Sequence, residues 1–236
     1  MDTSTIVAVA SSAGDLEAVS ELLCALPGEC HAAFIIVQHL DSGRERLLFE
    51  ALGSSTILPV THANDGLVVE QDHVYVMTAN TTVTMTGGHI RVTPNPGGLH
   101  HPGDVLFTSL AKEQGCSAIG VVLSGEGSDG TLGIQALKQG GGVTLAQYPG
   151  SARFPSMPIG AIETGCVGIV LRPNEIALEL ARLSRHTSHP ASAARCAPVI
   201  DDNAGHSPCG VTSPQEQTHG VHTGRSQRFI HAGGNR

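Results

Sequence analysis

Apolar and polar positions alternate along this chain in blocks rather than residue by residue. Ile6-Val7-Ala8-Val9 is a continuous apolar run and predicts a strand over 5–10. Over 15–26, Leu16, Val19, Leu22, Leu23 and Leu26 recur at helical spacing, and Pro27-Gly28 closes the pattern. Ala33-Phe34-Ile35-Ile36-Val37 predicts a second buried strand, followed by Gln38-His39 and a helix over 43–52. Short β-prone runs then crowd together at 67–69, 73–77, 82–85 and 90–93, with Gly87-Gly88 as a hairpin turn. Helical spacing returns over 104–114. A strand at 118–123, a glycine loop at 124–130, a helix at 131–139 and a strand at 143–146 follow. A short helix at 158–163, a strand at 166–171 and a helix opened by Pro173 complete the series.

Fully apolar strands alternating with helices predict an α/β fold: a doubly wound, mostly parallel sheet with helices on both faces. The hairpins in the middle are expected as a β-hairpin insertion at one end of that sheet. From Ser184 onward Ser, His, Gly, Pro and Thr dominate, and such a segment buries too little apolar surface to offset its ordering entropy. The expected organisation is therefore a folded body over 1–183 and a disordered tail over 184–236.

Composition refines this picture. The chain has 236 residues, no Trp and only 3% aromatics, so its core must be built from aliphatic side chains. No apolar stretch reaches the ~20 residues that span a bilayer, which argues against membrane insertion. Met1-Asp2-Thr3-Ser4 has no basic region ahead of its apolar run and does not read as a signal peptide, so a cytoplasmic location is expected. The formal charge of −8 is uneven: residues 1–183 carry 8 Lys and Arg against 18 Asp and Glu, and residues 184–236 carry 5 against 3. An acidic body is a poor nucleic-acid binder, because phosphates need Lys and Arg to neutralise them. The cysteines at 24, 30, 116, 166, 196 and 209 form no C-x-x-C pair and read as free thiols, those of the body buried. Six of the thirteen histidines fall in the tail, where nothing supplies a metal geometry. No metal or cofactor is expected.

Candidate chemistry begins at Ser12. Ala10-Ser11-Ser12-Ala13-Gly14-Asp15 joins the first strand to the first helix, so the hydroxyl stands at a strand's carboxyl end beside unpaired helix N–H groups. Turns of this kind commonly just cap a helix. A nucleophilic serine also needs a base and a carboxylate to orient it. His39 follows the second strand, and Asp129 lies in the loop after the strand at 118–123. In open α/β sheets ligands bind at the carboxyl ends of strands, so the three residues are expected on one rim. Gly125-Glu126-Gly127-Ser128-Asp129-Gly130 also matches the dinucleotide pattern G-x-G-x-x-G. That reading needs an acidic residue about 20 positions on, and no Asp or Glu occurs between Gly130 and Glu163. A P-loop is excluded because no Gly-Lys-[Ser/Thr] follows.

The Ser12 turn, Gln38-His39, Asp65-Gly66 with Val74-Tyr75-Val76, His100-His101-Pro102 with Asp104-Val105-Leu106-Phe107, and Leu123 through Gly130 occur in one order. In that order the chain resembles CheB-type chemotaxis protein-glutamate methylesterases over residues 5–182, in the style of versions fused to a receptor methyltransferase. The resemblance implies that Ser12 is the nucleophile, His39 the base and Asp129 its orienter. Backbone N–H groups of Ala13, Gly14 and Glu126 are the implied oxyanion donors. The implied reaction is hydrolysis of glutamate γ-methyl esters on the cytoplasmic helices of methylated chemoreceptors, with deamidation of receptor glutamines as a companion activity. The strand bearing the nucleophile begins within six residues of Met1, so the family's usual N-terminal receiver domain is expected to be missing. Control would then fall to a separate partner, a methyltransferase or a response regulator.

The chain departs from the family at four positions. Ala10 and Asp15 replace the outer glycines of the serine motif, Glu126 stands where Met or Thr is usual, and His101 replaces an Arg before Pro102. Asp15 and Glu126 add negative charge near a developing oxyanion, and His101 removes a fixed cation, so the surroundings turn more acidic. The alternatives these departures raise are a catalytically weak homologue acting as a regulatory or binding partner, and a hydrolase of another ester.

Overall fold

The continuous apolar runs at 6–10, 33–37 and 118–123 form the centre of one sheet, as their two-sided burial requires. The structure, a computed structural model, describes residues 5–12, 16–39, 43, 45–95 and 101–187, with positions 39, 116, 186 and 187 described through the backbone alone. In chain order the first elements are β1 (Thr5–Ser12), α1 (Leu16–Ala25), β2 (Ala32–His39), α2 (Glu45–Ser54) and β3 (Val60–His62). Then come β4 (His73–Val76), β5 (Thr81–Thr86), β6 (His89–Pro94), α3 (Pro102–Glu113) and β7 (Ala118–Val122). The chain continues through α4 (Thr131–Gln139), β8 (Val143–Gln147), α5 (Ser156–Glu163), β9 (Ile169–Leu171) and α6 (Pro173–Thr187).

Seven strands pair in the order β3-β4-β2-β1-β7-β8-β9, every neighbour parallel. The odd positions of β1 (Val7, Val9) and the even positions of β2 (Phe34, Ile36) pack with Val19, Leu22 and Leu23 of α1 and Ile176 and Leu180 of α6. The other face is covered by α3, α4 and α5. An α/β sheet with helices on both faces is thus the observed architecture.

The β-rich middle differs from its expected form. Among the described residues only β5 and β6 make a hairpin, closed by Gly87 (φ 61) and Gly88 (φ 76), the left-handed pair that a two-residue primed turn demands. β4, expected among the hairpins, instead joins the parallel sheet, because Val74, Tyr75 and Val76 are buried against β2. β3 was not expected at all, and the run at 67–69 contributes only an isolated bridge between Val68 and His89. The strand expected over 166–171 is confined to β9. α6 runs through Ser184, which is buried and donates its hydroxyl to the Leu180 carbonyl, so helix extends past the boundary expected at 183. Residues 188–236, where the tail is expected, lie outside the described residues. Of the described thiols, Cys30 and Cys166 are buried as expected, whereas Cys24 is exposed. No helix among the described residues is long and apolar enough to cross a membrane.

Candidate functional site

The chain leaves β1 toward β2 on one side and returns as β7 on the other. The crevice outside the carboxyl ends of β1 and β7 is therefore the switch point at which open α/β sheets bind ligands. β1 continues two residues beyond its apolar run, and its last rung pairs Ser12 with His39 of β2. Strand neighbours lie about 4.8 Å apart, so the two backbones hold these positions side by side. Ser12 is half-buried, and its backbone is tied on both sides: its N–H donates to the Ser124 carbonyl (3.3 Å), and its carbonyl accepts from Gln38 Nε2 (2.6 Å). Gln38 is buried, so its amide is a fixed strut under the serine. The His39 side chain, Ala13, Gly14 and Asp15 lie outside the described residues.

The loop after β7 closes over Ser12. Ser124 donates its N–H to Gln147 Oε1 (2.8 Å), and its hydroxyl accepts from the Phe154 N–H (2.9 Å). Gly125 donates its N–H to the Phe154 carbonyl (2.9 Å), while its own carbonyl accepts from the Met157 N–H (3.1 Å) and the Ser156 hydroxyl (2.9 Å). A Cβ at position 125 would stand 2.7 Å from Ser12 Cβ and 2.9 Å from Ser12 N, and would also strike Met157 Sδ. Only glycine lets this loop lie so close to the serine. The Gly125 N–H is thus committed, whereas the next residue, Glu126, is exposed and its N–H bonds to no described residue.

Asp129 is buried beneath the start of α3. Its Oδ2 accepts the Gly103 N–H (3.0 Å) and its Oδ1 accepts the Asp104 N–H (3.0 Å), two orphan donors of the first helical turn. The arrangement is reciprocal, because Asp104 Oδ1 accepts the Gly133 N–H (2.8 Å) in the first turn of α4. Neither helix is capped by its own N-cap side chain, so the two carboxylates supply those caps across the α3–α4 interface. His101 Nδ1, buried and without a hydrogen bond, lies 3.8 Å from Asp104 Oδ2 and 3.9 Å from Asp129 Oδ1. Burial raises the Asp129 pKa above its ordinary value. The hydrogen bonds from Gly103 and Asp104 oppose that shift, the Asp104 charge adds to it, and His101 opposes it.

Among the described residues, His101, Asp104 and Asp129 are the group whose ligand atoms all come within 4.8 Å of one another. Three of their four carboxylate oxygens already accept backbone N–H groups, so the cluster is built as a helix-capping network. Sequence reasoning did not single out the Gln38 strut, the Gly103 contact or the Asp104 cap. Pro102 as the first helical residue and the acidic Asp104 in the first turn are local signals for the start of α3.

The CheB methylesterase family model matches residues 7–180. A protein-glutamate methylesterase/protein-glutamine glutaminase 3 of Anaeromyxobacter dehalogenans (strain 2CP-C) is 35% identical over 180 residues, covering 75% of this chain and 53% of that protein. A protein-glutamate methylesterase/protein-glutamine glutaminase of Pyrococcus abyssi (strain GE5 / Orsay) is 32% identical over 200 residues, covering 78% of this chain and 54% of that protein. The chain spans about half the length of these curated relatives. The crystal structure of the Thermotoga maritima CheB methylesterase catalytic domain superposes with a TM-score of 0.69 at 27% identity, covering 76% of this chain and 98% of that one. The parallel sheet, the Ser12 rung and the loop bearing Asp129 all fall within the matched span, and this chain belongs to the CheB methylesterase family.

Proposed function

We propose that this chain is a serine hydrolase that removes methyl esters from glutamate side chains on the cytoplasmic helices of chemoreceptors, with deamidation of receptor glutamines as a companion activity. The observation that carries the reading is the shared last rung of β1 and β2, which sets Ser12 beside His39 at the crevice. Supporting it, the Asp129 carboxylate and Ala10 Cβ both come within contact distance of the space above Gly103, and Ala10 is the rung partner of Val37, two residues before His39.

In this mechanism His39 takes the proton of the Ser12 hydroxyl as Oγ attacks the ester carbonyl carbon. The tetrahedral oxyanion accepts hydrogen bonds from backbone N–H groups of Ala13, Gly14 and Glu126. Collapse breaks the C–O bond to the methoxy group, which leaves as methanol with the proton from His39. Water then gives a proton to His39 and attacks the acyl-serine; the C–Oγ bond breaks, Ser12 regains its proton and free glutamate remains. Asp129 holds the imidazole tautomer and stabilises the imidazolium. The catalytic unit is the α/β body. A separate methyltransferase or response regulator is the expected controlling partner.

The test is methanol release from membranes carrying methylated receptors. Ser12→Ala should lower the rate by up to ~10⁶-fold, as loss of a triad nucleophile does in comparable hydrolases. Equal rates in wild type and Ser12→Ala would end the serine mechanism. The exposed Glu126 carboxylate beside the donor N–H supports a second reading, a weakly catalytic relative that binds receptors without turning them over. Stoichiometric labelling of Ser12 by a serine-directed phosphonate would exclude it.

A further inference from the structure

We infer that Asp104 is a positioning residue for the reaction: by capping α4 while Asp129 caps α3, it holds the loop that carries Asp129 in its working place. The inference rests on the hydrolase reading above and adds to it a residue that touches neither substrate nor nucleophile.

The argument starts from two helix N-termini that lack caps of their own. His101, the N-cap of α3, makes no capping hydrogen bond, and Gly130, the N-cap of α4, has no side chain to offer. Each end presents unpaired N–H groups and the positive pole of its helix dipole. Asp129 immediately precedes Gly130 and faces the start of α3; Asp104 sits in the first turn of α3 and faces the start of α4. Each carboxylate therefore belongs to one helix entry and caps the other. Gly133 has no room for a side chain, since a Cβ there would stand 2.6 Å from Phe107 Cβ and 3.0 Å from Asp104 Cα. The two helix starts are thus in direct contact, and the exchange of caps fixes their relative position.

The consequence for the site is specific. Asp129 lies in a loop whose only route into α4 is through Gly130 (φ 87), so the start of α4 sets where the Asp129 carboxylate sits. If the Asp104 cap is lost, α4 can shift at its N-terminus, and Asp129 shifts with it. Misplacement of a catalytic group by about 1 Å can cost 10²-fold in rate. Among the described residues, both carboxylates also lie beside His101 Nδ1, at 3.8 and 3.9 Å.

The test compares Asp104→Ala with Asp104→Asn in the full chain. Asn keeps a carbonyl oxygen for the Gly133 N–H, and Ala does not. Asp104→Ala should lower kcat per phosphonate-titrated site by about 10- to 100-fold with KM little changed. Asp104→Asn should recover most of that loss, remaining within about fivefold of wild type as a neutral acceptor replaces a charged one. Amide exchange provides a readout independent of catalysis: in Asp104→Ala the Gly103 N–H, bonded to Asp129 and not to Asp104, should exchange faster along with Gly133. Unchanged Gly103 protection with Gly133 exposed overturns the inference, as does wild-type kcat in Asp104→Ala or an equal loss in both variants. A wild-type protein that releases no methanol, with Gly103 exchange still linked to Asp104, would instead overturn the methylesterase reading and leave the positioning linkage standing.

Discussion

The carboxylate of Asp129 occupies the space that a side chain at Gly103 would need. A Cβ at 103 would stand 3.0 and 3.1 Å from the two carboxylate oxygens and 2.7 Å from Ala10 Cβ. The glycine therefore lets α3 approach both β1 and Asp129 closely enough for its first-turn N–H groups to reach the acid. Gly103→Ala should gain up to about 1 kcal/mol of helix propensity yet lose more to overpacking, for a net destabilisation on the order of 1–2 kcal/mol. Denaturant midpoints would measure the loss, and methanol release should fall with it because Asp129 must move. A variant as stable and as active as wild type would show that the contact yields without consequence.

Gly125 carries a parallel argument at Ser12, the proposed nucleophile. Its backbone is not left-handed, so alanine is conformationally acceptable there. The obstacle is space: Met157 can swing its flexible side chain away, whereas the Ser12 backbone is held by Ser124 and Gln38. Gly125→Ala should therefore cost activity by at least ~10²-fold with a much smaller loss of stability. A combined kinetic and thermal-melt comparison checks this. Loss of stability in proportion to activity would place the effect in the fold rather than at the serine.

The contrast between these residues and the triad candidates shows what a single sequence exposes. β1, β2, β7 and β8 were readable because strands buried on both faces carry near-continuous apolar runs, with polar residues such as Gln38 and Gln147 at their carboxyl ends. Val60-Thr61-His62 carries no such signal: it is short, only partly buried, and it becomes a strand through pairing with β4 alone. β4 looked like hairpin material because its partner, β2, lies far back in the chain. Ser12, His39 and Asp129 could be placed at strand ends because strand ends are local features. The Asp129–Gly103 and Asp104–Gly133 bonds join residues 26 and 29 positions apart, and no local pattern encodes a cap supplied by another helix.

Burial raises the Asp129 pKa from its ordinary value of 3.8, outweighing the two backbone hydrogen bonds and the nearby His101. Between that value and the raised one, the folded state binds a proton that the unfolded chain has released. Stability from this group therefore falls as pH rises through that window and is highest below it. Asp129→Asn does not titrate, so the stability difference between wild type and variant isolates this term. Wild type should gain relative to the variant as the medium goes from about pH 7 to about pH 4. Guanidinium unfolding at both pH values provides the measurement; a difference that is flat or opposite in sign would mean that burial does not dominate at Asp129.

Glu126 tests the division of labour in the loop itself. In the proposed mechanism it acts through its backbone N–H, which does not depend on the side chain, while its exposed carboxylate would place a negative charge near a second developing one. Exposed charges interact through a high dielectric and are screened within roughly 10 Å at 0.1 M salt. Glu126→Gln keeps the size and the N–H but removes the charge, so kcat should rise by less than about fivefold at low ionic strength. The gain should shrink toward unity near 1 M salt, where screening already hides the wild-type carboxylate. Steady-state methanol release across a salt series distinguishes the two roles. A Gln variant slower than wild type by tenfold or more would mean that the carboxylate itself takes part in the reaction, and the backbone-donor assignment at this position would have to be abandoned.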